Sequence, residues 1–239
     1  MTITSPAIAV QPQKIAFSSA LIVEDHPLFC DALAMTLQAV AGIERIENAD
    51  RLQGALDRFE AGETFDIIIL DLNLPDVNGL DGLMRLKNAV PELPIVVVSS
   101  IDEERVIRSA ILAGAAGFVP KHSKRELFRA AFSAIARGEV FVPDSTGEIL
   151  AEGNGLSPQD EAIRRLSHLT RQQANILDQI CAGKMNKQIA FDLSIAETTV
   201  KAHVTAIMRK LGVYSRTQAV LLTREAQSTS SLPESWKTS

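Results

Sequence analysis

The sequence predicts an α/β domain built on a five-stranded, doubly wound parallel sheet, followed by a small all-α domain. Five short apolar runs each precede a stretch with helical periodicity, as the strand–helix units of a parallel sheet do. No strand pattern returns after Leu169, where four helical segments follow. The chain has 239 residues, of which 46% are hydrophobic, and this is enough for two modest cores.

The five strand–helix units follow one another along the first half of the chain. Their strands are unbroken apolar runs, which suits a sheet with helices on both faces. In chain order the runs are ALIVED and PLFCDALAMTLQAV, IERIENA and RLQGALDRFEAG, DIIILD and LDGLMRLKNAV, PIVVVSS and EERVIRSAILAG, and AGFVP and KRELFRAAFSAIARG. We expect Pro27 in the first turn of the first helix and a capping box of Ser123 with Glu126 on the fifth.

Composition sets the predicted domain boundaries. We expect a leader, a sheet domain, a linker, a helical domain and a tail over residues 1–14, 15–137, 138–168, 169–226 and 227–239. The linker is acidic and loop-like, but Ser157 and Pro158 near its end predict one short helix. Because the linker is longer than a compact connection needs, it is either a hinge or a segment that docks between the domains.

The helical domain contains the pattern of a helix, a tight turn and a longer helix. Its predicted helices are 170–182, 186–193, 197–211 and 215–226. The third carries an apolar stripe at helical spacing, formed by Val200, Val204, Ile207 and Leu211. Thr170 and Gln173 are expected to close a capping box on the first. Ala196 has no capping oxygen for the third, unless Ser194 caps one turn earlier with Glu197.

Charge separates the two halves of the chain. The whole chain carries a net charge of −5, but from Leu169 onward nine Lys and Arg stand against five Asp and Glu. We therefore expect only the C-terminal part to meet a polyanion. No apolar run approaches the roughly 20 residues of a membrane span, and no signal peptide is recognisable, so we expect a cytoplasmic protein. Cys30 and Cys181 are interpreted as reduced core thiols.

Acidic residues stand where the first and third predicted strands end. Ligands of an open parallel sheet bind outside the carboxyl ends of its strands, and Glu24, Asp25 and Asp71 lie there. Three converging carboxylates repel one another unless a cation joins them, and hard oxygen ligands suit Mg²⁺. Taken singly, such residues are usually helix caps or solvated loop residues. Their joint placement predicts a metal site.

The fourth and fifth strands add Ser99 and Lys121 to the same edge. A hydroxyl and an ammonium beside a metal-bound carboxylate supply the donor and the positive charge that a phosphoryl group needs. Asp71 is therefore predicted to be a nucleophile that forms an aspartyl phosphate.

The runs LIVEDHPLF, DIIILDLNLPDVNGLDGL, PIVVVSS and GFVPK resemble the receiver domain of two-component response regulators. The resemblance covers about residues 20–137 and implies a flavodoxin-like fold. It implies that Glu24, Asp25, Asp71 and the main-chain carbonyl of Asn73 hold Mg²⁺. The family often has Asp where this chain has Glu24, a change that keeps the charge.

The same resemblance implies how the site works. Asp71 would accept the phosphoryl group of a sensor histidine kinase, Ser99 would contact a phosphoryl oxygen, and Lys121 would pair with it. Phe118 would be the aromatic residue that turns inward when Ser99 moves. The fourth helix and fifth strand would then present an altered surface.

The run LTRQQANILDQICAGKMNKQIAFDLSIAETTVKAHVTAIMRKLGVYSRTQAV resembles the LuxR-type helix-turn-helix of the NarL/FixJ class, over about residues 169–225. From the residues, the third helix can lie in a major groove with an outward face of Thr199, Lys201, Ala202, Thr205, Arg209 and Lys210. The resemblance implies that bases are contacted by Lys201, Ala202 and Thr205. It implies that the DNA backbone is contacted mostly by Lys184, Lys187, Thr198, Thr199 and His203.

The sequence therefore predicts a phosphorylation-dependent transcription regulator and not an enzyme beyond its own phosphorylation and dephosphorylation. An apolar strip of Ala219, Val220 and Leu222 suggests a dimer on an inverted-repeat site. One alternative is a hydrolase or phosphatase on the same sheet, although Asn73 offers no second acid near Asp71. Another is a receiver whose helical domain binds protein instead of DNA.

Overall fold

The computed structural model describes residues 17–77, 79–143 and 157–227. The predicted leader 1–14, residues 144–156 of the predicted linker and residues 228–239 of the predicted tail lie outside this range. Within it, no helix is both long enough and apolar enough to cross a membrane.

A five-stranded, all-parallel sheet forms the first half of the described chain, as predicted. The strand order is β2-β1-β3-β4-β5. The strands are β1 Ser19–Val23, β2 Arg45–Ala49, β3 Ile67–Leu70, β4 Ile95–Ser99 and β5 Gly117–Pro120. All but β2, which lies at an edge, are buried along their whole length, and this explains their unbroken apolar sequences.

Helices cover both faces of the sheet, and the remaining helices form the second domain. In chain order they are α1 Pro27–Ala41, α2 Leu52–Glu60, α3 Asp81–Ala89, α4 Glu104–Leu112, α5 Arg125–Ile135, α6 Pro158–Ser167, α7 Arg171–Cys181, α8 Asn186–Asp192, α9 Glu197–Leu211 and α10 Arg216–Gln227. The pair α1 and α5 packs on one face against residues such as Ile22 and Ile69. Helices α2, α3 and α4 cover the other, which presents Leu21 and Ile68.

The predicted capping box on the fifth helix is absent, whereas the third helix of the second domain begins at Glu197, as predicted. Helix α5 begins after Lys124 without a side-chain cap, because Ser123 lies in the preceding turn and donates its amide to the Pro120 carbonyl. Helix α9 begins after Ala196, also without a side-chain cap. Ser194 cannot cap it one turn earlier, because this residue closes the end of α8 in a left-handed conformation with φ 53°.

Other predicted caps are confirmed. Pro27 occupies the first turn of α1. Ser157 and Asp160 form a capping box on α6, the helix predicted in the linker, and Thr170 and Gln173 form one on α7. These pairs satisfy amide groups that a helix start otherwise leaves without partners.

The core on the α2–α4 face continues into the C-terminal helices, where it includes Ile163, Ile176 and Val200. Helix α4 packs on α6, and α3 packs on α7. Across the first contact, Arg108 Nε lies 3.4 Å from Asp160 Oδ2, and the two side chains are only 18% and 8% exposed. The linker helix is therefore docked between the sheet and the remaining helices.

Candidate functional site

The sheet brings the predicted acidic residues together at one edge. Strands β1 and β3 are neighbours with Val23 opposite Leu70, so Glu24 and Asp71 emerge side by side. Both are almost fully buried, at 3% and 2% exposure, whereas Asp25 is half-buried. A pair of carboxylates this deep in a protein requires a positive partner.

Lys121 supplies positive charge from the end of β5. Its Nζ lies 2.6 Å from Glu24 Oε2 and 2.9 Å from Asp71 Oδ2. Burial raises the pKa of Asp71, and the Lys121 ammonium acts against that shift. Burial also acts to lower the pKa of Lys121, but its hydrogen bonds to both carboxylates outweigh this and raise the pKa overall. The ammonium is therefore held charged between the two acids.

One oxygen of the pair remains without a partner. Asp71 Oδ1 is buried and has no hydrogen bond of normal geometry within the described residues. Glu24, Asp25, His26 and Asp71 each offer a ligand atom, and these atoms lie within 4.8 Å of one another. Such a set of hard oxygen ligands around an unsatisfied carboxylate oxygen fits a divalent cation.

The remaining predicted residues of this site occupy the surrounding positions. Ser99 ends β4 fully buried, and its carbonyl accepts the Lys121 amide at 2.8 Å. Phe118 is fully buried on β5, beside β4. The Asn73 side chain is exposed, and its main-chain amide favours the ionised form of Asp71. The edge therefore combines an acid pair, an ammonium and a hydroxyl.

His26 was not predicted as part of this site. Its Nδ1 lies 2.7 Å from Glu24 Oε1 and 2.8 Å from Asp25 Oδ1. The hydrogen bond to Glu24 and the charge of Asp25 raise the pKa of the imidazole. The sequence indicates that His26 belongs to this site only by its position, directly after the two acids.

A second candidate site is the outward face of α9. Val200, Ile207 and Leu211 are buried in the domain core, whereas Lys201, Ala202 and Thr205 are exposed. Also exposed are Lys187, Thr198 and Arg209, while Thr199, His203 and Lys184 are half-buried. The helix therefore presents a polar, basic surface that is open to solvent.

Several side chains of this surface have partners inside the domain. Lys201 Nζ lies 2.9 Å from Glu197 Oε1, and Lys184 Nζ lies 2.8 Å from Asp192 Oδ2. Lys210 is exposed, but its Nζ donates to the His168 carbonyl at 3.0 Å and to Gln173 Oε1 at 2.8 Å. Lys210 would have to leave these acceptors to reach a phosphate.

The apolar strip predicted on the last helix is not free. Ala219 is fully buried in the domain core, and Val220 and Leu222 are packed partly against that core. Leu221, on the other face of α10, is 58% exposed instead. The helical period therefore places the predicted strip against the domain core.

Comparison with known proteins assigns each of the two domains to a family. Residues 20–133 match the response regulator receiver domain, and residues 167–223 match the bacterial regulatory proteins of the luxR family. The glycerol metabolism activator of Pseudomonas putida is 42% identical over 84% of this chain and 92% of its own length. The nitrate/nitrite response regulator protein NarP of Escherichia coli is 32% identical over 88% of this chain and 96% of its own length.

Solved structures agree with the fold. The RcsB response regulator of Salmonella typhimurium matches with a TM-score of 0.51 at 18% identity, over 86% of this chain and 98% of that chain. A structure of two RcsB dimers bound to two parallel DNAs matches with a TM-score of 0.52 at 18% identity, over 87% and 98% of the two chains.

Proposed function

Because this chain belongs to the response regulators that join a receiver domain to a LuxR-type DNA-binding domain, we propose that Asp71 is its phosphoacceptor. The family makes it a transcription regulator and not a classical enzyme. The observation that supports the proposal is the buried Asp71 carboxylate, whose Oδ2 contacts Lys121 and whose Oδ1 has no hydrogen bond of normal geometry within the described residues.

The proposed chemistry is phosphoryl transfer from a histidine of a sensor kinase. The P–N bond of the donor breaks, an oxygen of Asp71 forms the new P–O bond, and the donor imidazole keeps the electron pair of the broken bond. Glu24, Asp25, Asp71 and the carbonyl of Asn73 would hold Mg²⁺, which neutralises charge on the transferring phosphoryl oxygens. Lys121 leaves Glu24 to pair with the phosphoryl group, and the Ser99 hydroxyl donates to it.

The proposed signal reaches the helical domain through α4. A phosphoryl group adds about −1.5 to −2 charge, so that Ser99 and Lys121 must rearrange around it, and Phe118 turns with them. Helix α4 begins at Glu104, after the loop that follows Ser99, and packs on α6, where Arg108 meets Asp160. A shift of α4 therefore acts directly on the contact that holds the domains together.

The proposed output is a change in DNA binding and in dimerisation. Lys201, Ala202 and Thr205 contact bases from the major groove, and the flanking basic residues position the domain on phosphates. The proposed homodimer on an inverted repeat rests on the family and not on the strip of Ala219, Val220 and Leu222, which packs against the domain core. The proposed place of action is the cytoplasm, where bacterial DNA lies.

The first test is the intact mass of the full chain after incubation with a small phosphodonor and Mg²⁺. We expect one phosphoryl group on the wild type and on Asp57→Asn, which alters an exposed acid of α2, and none on Asp71→Asn. Sizing of the same samples is expected to show a shift toward dimer only in the labelled ones. Labelling of Asp71→Asn to the wild-type level would refute the assignment.

The second test separates DNA binding from a protein-binding output. Binding of the phosphorylated chain to duplex DNA is expected to weaken steeply as salt rises, because phosphate contacts release counterions. Lys201→Ala is expected to weaken it further. Absence of a gel shift at low salt would favour the alternative in which the helical domain binds protein.

A further inference from the structure

Lys121 occupies only one side of the acidic site. It contacts Oε2 of Glu24 and Oδ2 of Asp71, which leaves Glu24 Oε1 and Asp71 Oδ1 for other partners. Asp71 is 2% exposed, and its Oδ1 has no hydrogen bond of normal geometry within the part of the chain that the structure describes, although the Asn73 amide lies near the carboxylate. A buried carboxylate oxygen without a partner indicates a missing cation or donor on this side.

The side chain of His26 reaches this free side. Its Nδ1 lies 2.7 Å from Glu24 Oε1 and 2.8 Å from Asp25 Oδ1, and it belongs to the group of ligand atoms that fall within 4.8 Å of one another. Pro27 restricts the backbone of His26, which has φ −98° and ψ 103° at the start of α1. The site therefore offers three carboxylates and one imidazole nitrogen.

We propose that His26 is a further metal ligand, which makes the site prefer divalent first-row transition cations over Mg²⁺. The proposal rests on the metal site of the proposed function and adds the residue that selects the ion. Imidazole is a common ligand of Mn²⁺ through Zn²⁺, and affinity for a mixed nitrogen and oxygen site rises along this series toward Cu²⁺. Mg²⁺ prefers oxygen ligands and water, and gains little from an imidazole.

The ring has a competing structural role, in which it serves only as a positive partner of the two acids. That role has the opposite consequence for metal binding, because an imidazolium repels an incoming cation. Removing it would then strengthen the binding of every divalent cation, Mg²⁺ included. The two roles are therefore distinguished by the sign of one measurement.

The test is calorimetric titration of the metal-free full chain with Co²⁺ and, separately, with Mg²⁺. In His26→Gln we expect Co²⁺ affinity to fall about tenfold or more and Mg²⁺ affinity to fall much less. The matched control is His122→Gln, an exposed histidine of the β5–α5 loop whose Nε2 lies 3.6 Å from Asp102, and it is expected to keep the wild-type preference. The His26 side chain is 62% exposed, so its replacement leaves the core intact.

A spectroscopic measurement tests ligation directly. Electron spin echo modulation of bound Mn²⁺ is expected to show a coordinated ¹⁴N in the wild type and in His122→Gln, but not in His26→Gln. Equal loss of Co²⁺ and Mg²⁺ affinity, tighter binding of both ions, or no ¹⁴N signal in the wild type would overturn the role of His26. Unchanged binding of both ions in Asp71→Asn would instead refute the metal site itself.

Discussion

At the edge of the sheet, the positive charge of Lys121 offsets the repulsion between two buried carboxylates. Glu24 and Asp71 are almost fully buried, and Lys121 bridges them with a side chain that is 15% exposed. Breaking a buried ion pair by removing one partner is costly, because the remaining charge stays in a poorly solvated place. The receiver domain therefore depends on Lys121 for stability as well as for the proposed phosphoryl contact.

In the absence of divalent metal, Lys121→Ala is expected to lower the free energy of unfolding by about 3 kcal/mol. Urea denaturation at neutral pH measures this loss, and Lys124→Ala, which removes an exposed neighbouring ammonium, serves as the control. Mg²⁺ is expected to restore more stability to Lys121→Ala than to the wild type, since the cation replaces the missing charge. Equal urea midpoints for all three proteins without metal would contradict the argument.

Among the elements, helix α9 begins at a residue that cannot cap it. Its N-cap is Ala196, which offers no side-chain oxygen to the first amide groups of the helix. Ala196→Ser is expected to stabilise the helical domain by about 1 kcal/mol, because a serine at this position can accept from the amide two or three residues on. Thermal unfolding measures the gain, and Ala202→Ser, within the same helix, is expected to give none.

The contact between α4 and α6 is expected to hold the two domains together. Arg108→Met removes the cationic partner of the Asp160 carboxylate, which is 8% exposed and keeps only the Ser157 amide among the described residues, so we expect the two domains to separate. Small-angle scattering is expected to show a larger radius of gyration than that of the wild type. Arg105→Met, on an exposed position of the same helix, is expected to leave the radius unchanged. A compact Arg108→Met would show that apolar packing alone holds the domains.

For the molecule as a whole, domain closure is expected to depend on pH. Burial and the charge of Asp81 raise the pKa of Asp178 on α7 to about 6, and Arg85 of α3 acts in the opposite direction. When the domains separate, the pKa returns toward its ordinary value near 3.8, so closure takes up a proton. Closure is therefore favoured as pH falls through 6, although the Asp178 side chain is exposed and solvent screening reduces the effect.

This is tested by measuring the distance between the domains with a pair of fluorescent labels from pH about 7.5 to about 5.5. The wild type is expected to become more closed as pH falls, and Asp178→Asn is expected to respond less. Asp192→Asn, which alters an exposed acid paired with Lys184, serves as the control. A response of Asp178→Asn as large as that of the wild type would rule out Asp178 as the titrating group.

Whether a feature could be predicted from the sequence depended on how far along the chain its partners lie. The apolar strands and the bounds of α9 depend on neighbouring residues, and both were predicted. Lys210 lies at an outward position by helical period, but its ammonium meets the His168 carbonyl 42 residues away. The contact of Arg108 with Asp160 likewise joins two elements that no local pattern relates. His26 could have been predicted from the sequence, since it directly follows two acids that were predicted as metal ligands.

Because the core is continuous between α4 and α6, any other molecule that binds α4 must compete with α6. The face of α4 that carries Arg108 is already covered by α6, a helix of the same chain. A partner in the same chain acts at a high effective concentration. A second molecule that binds this face of α4 must therefore displace α6. Even a small loss of the affinity of α4 for α6 would then change which of the two is bound.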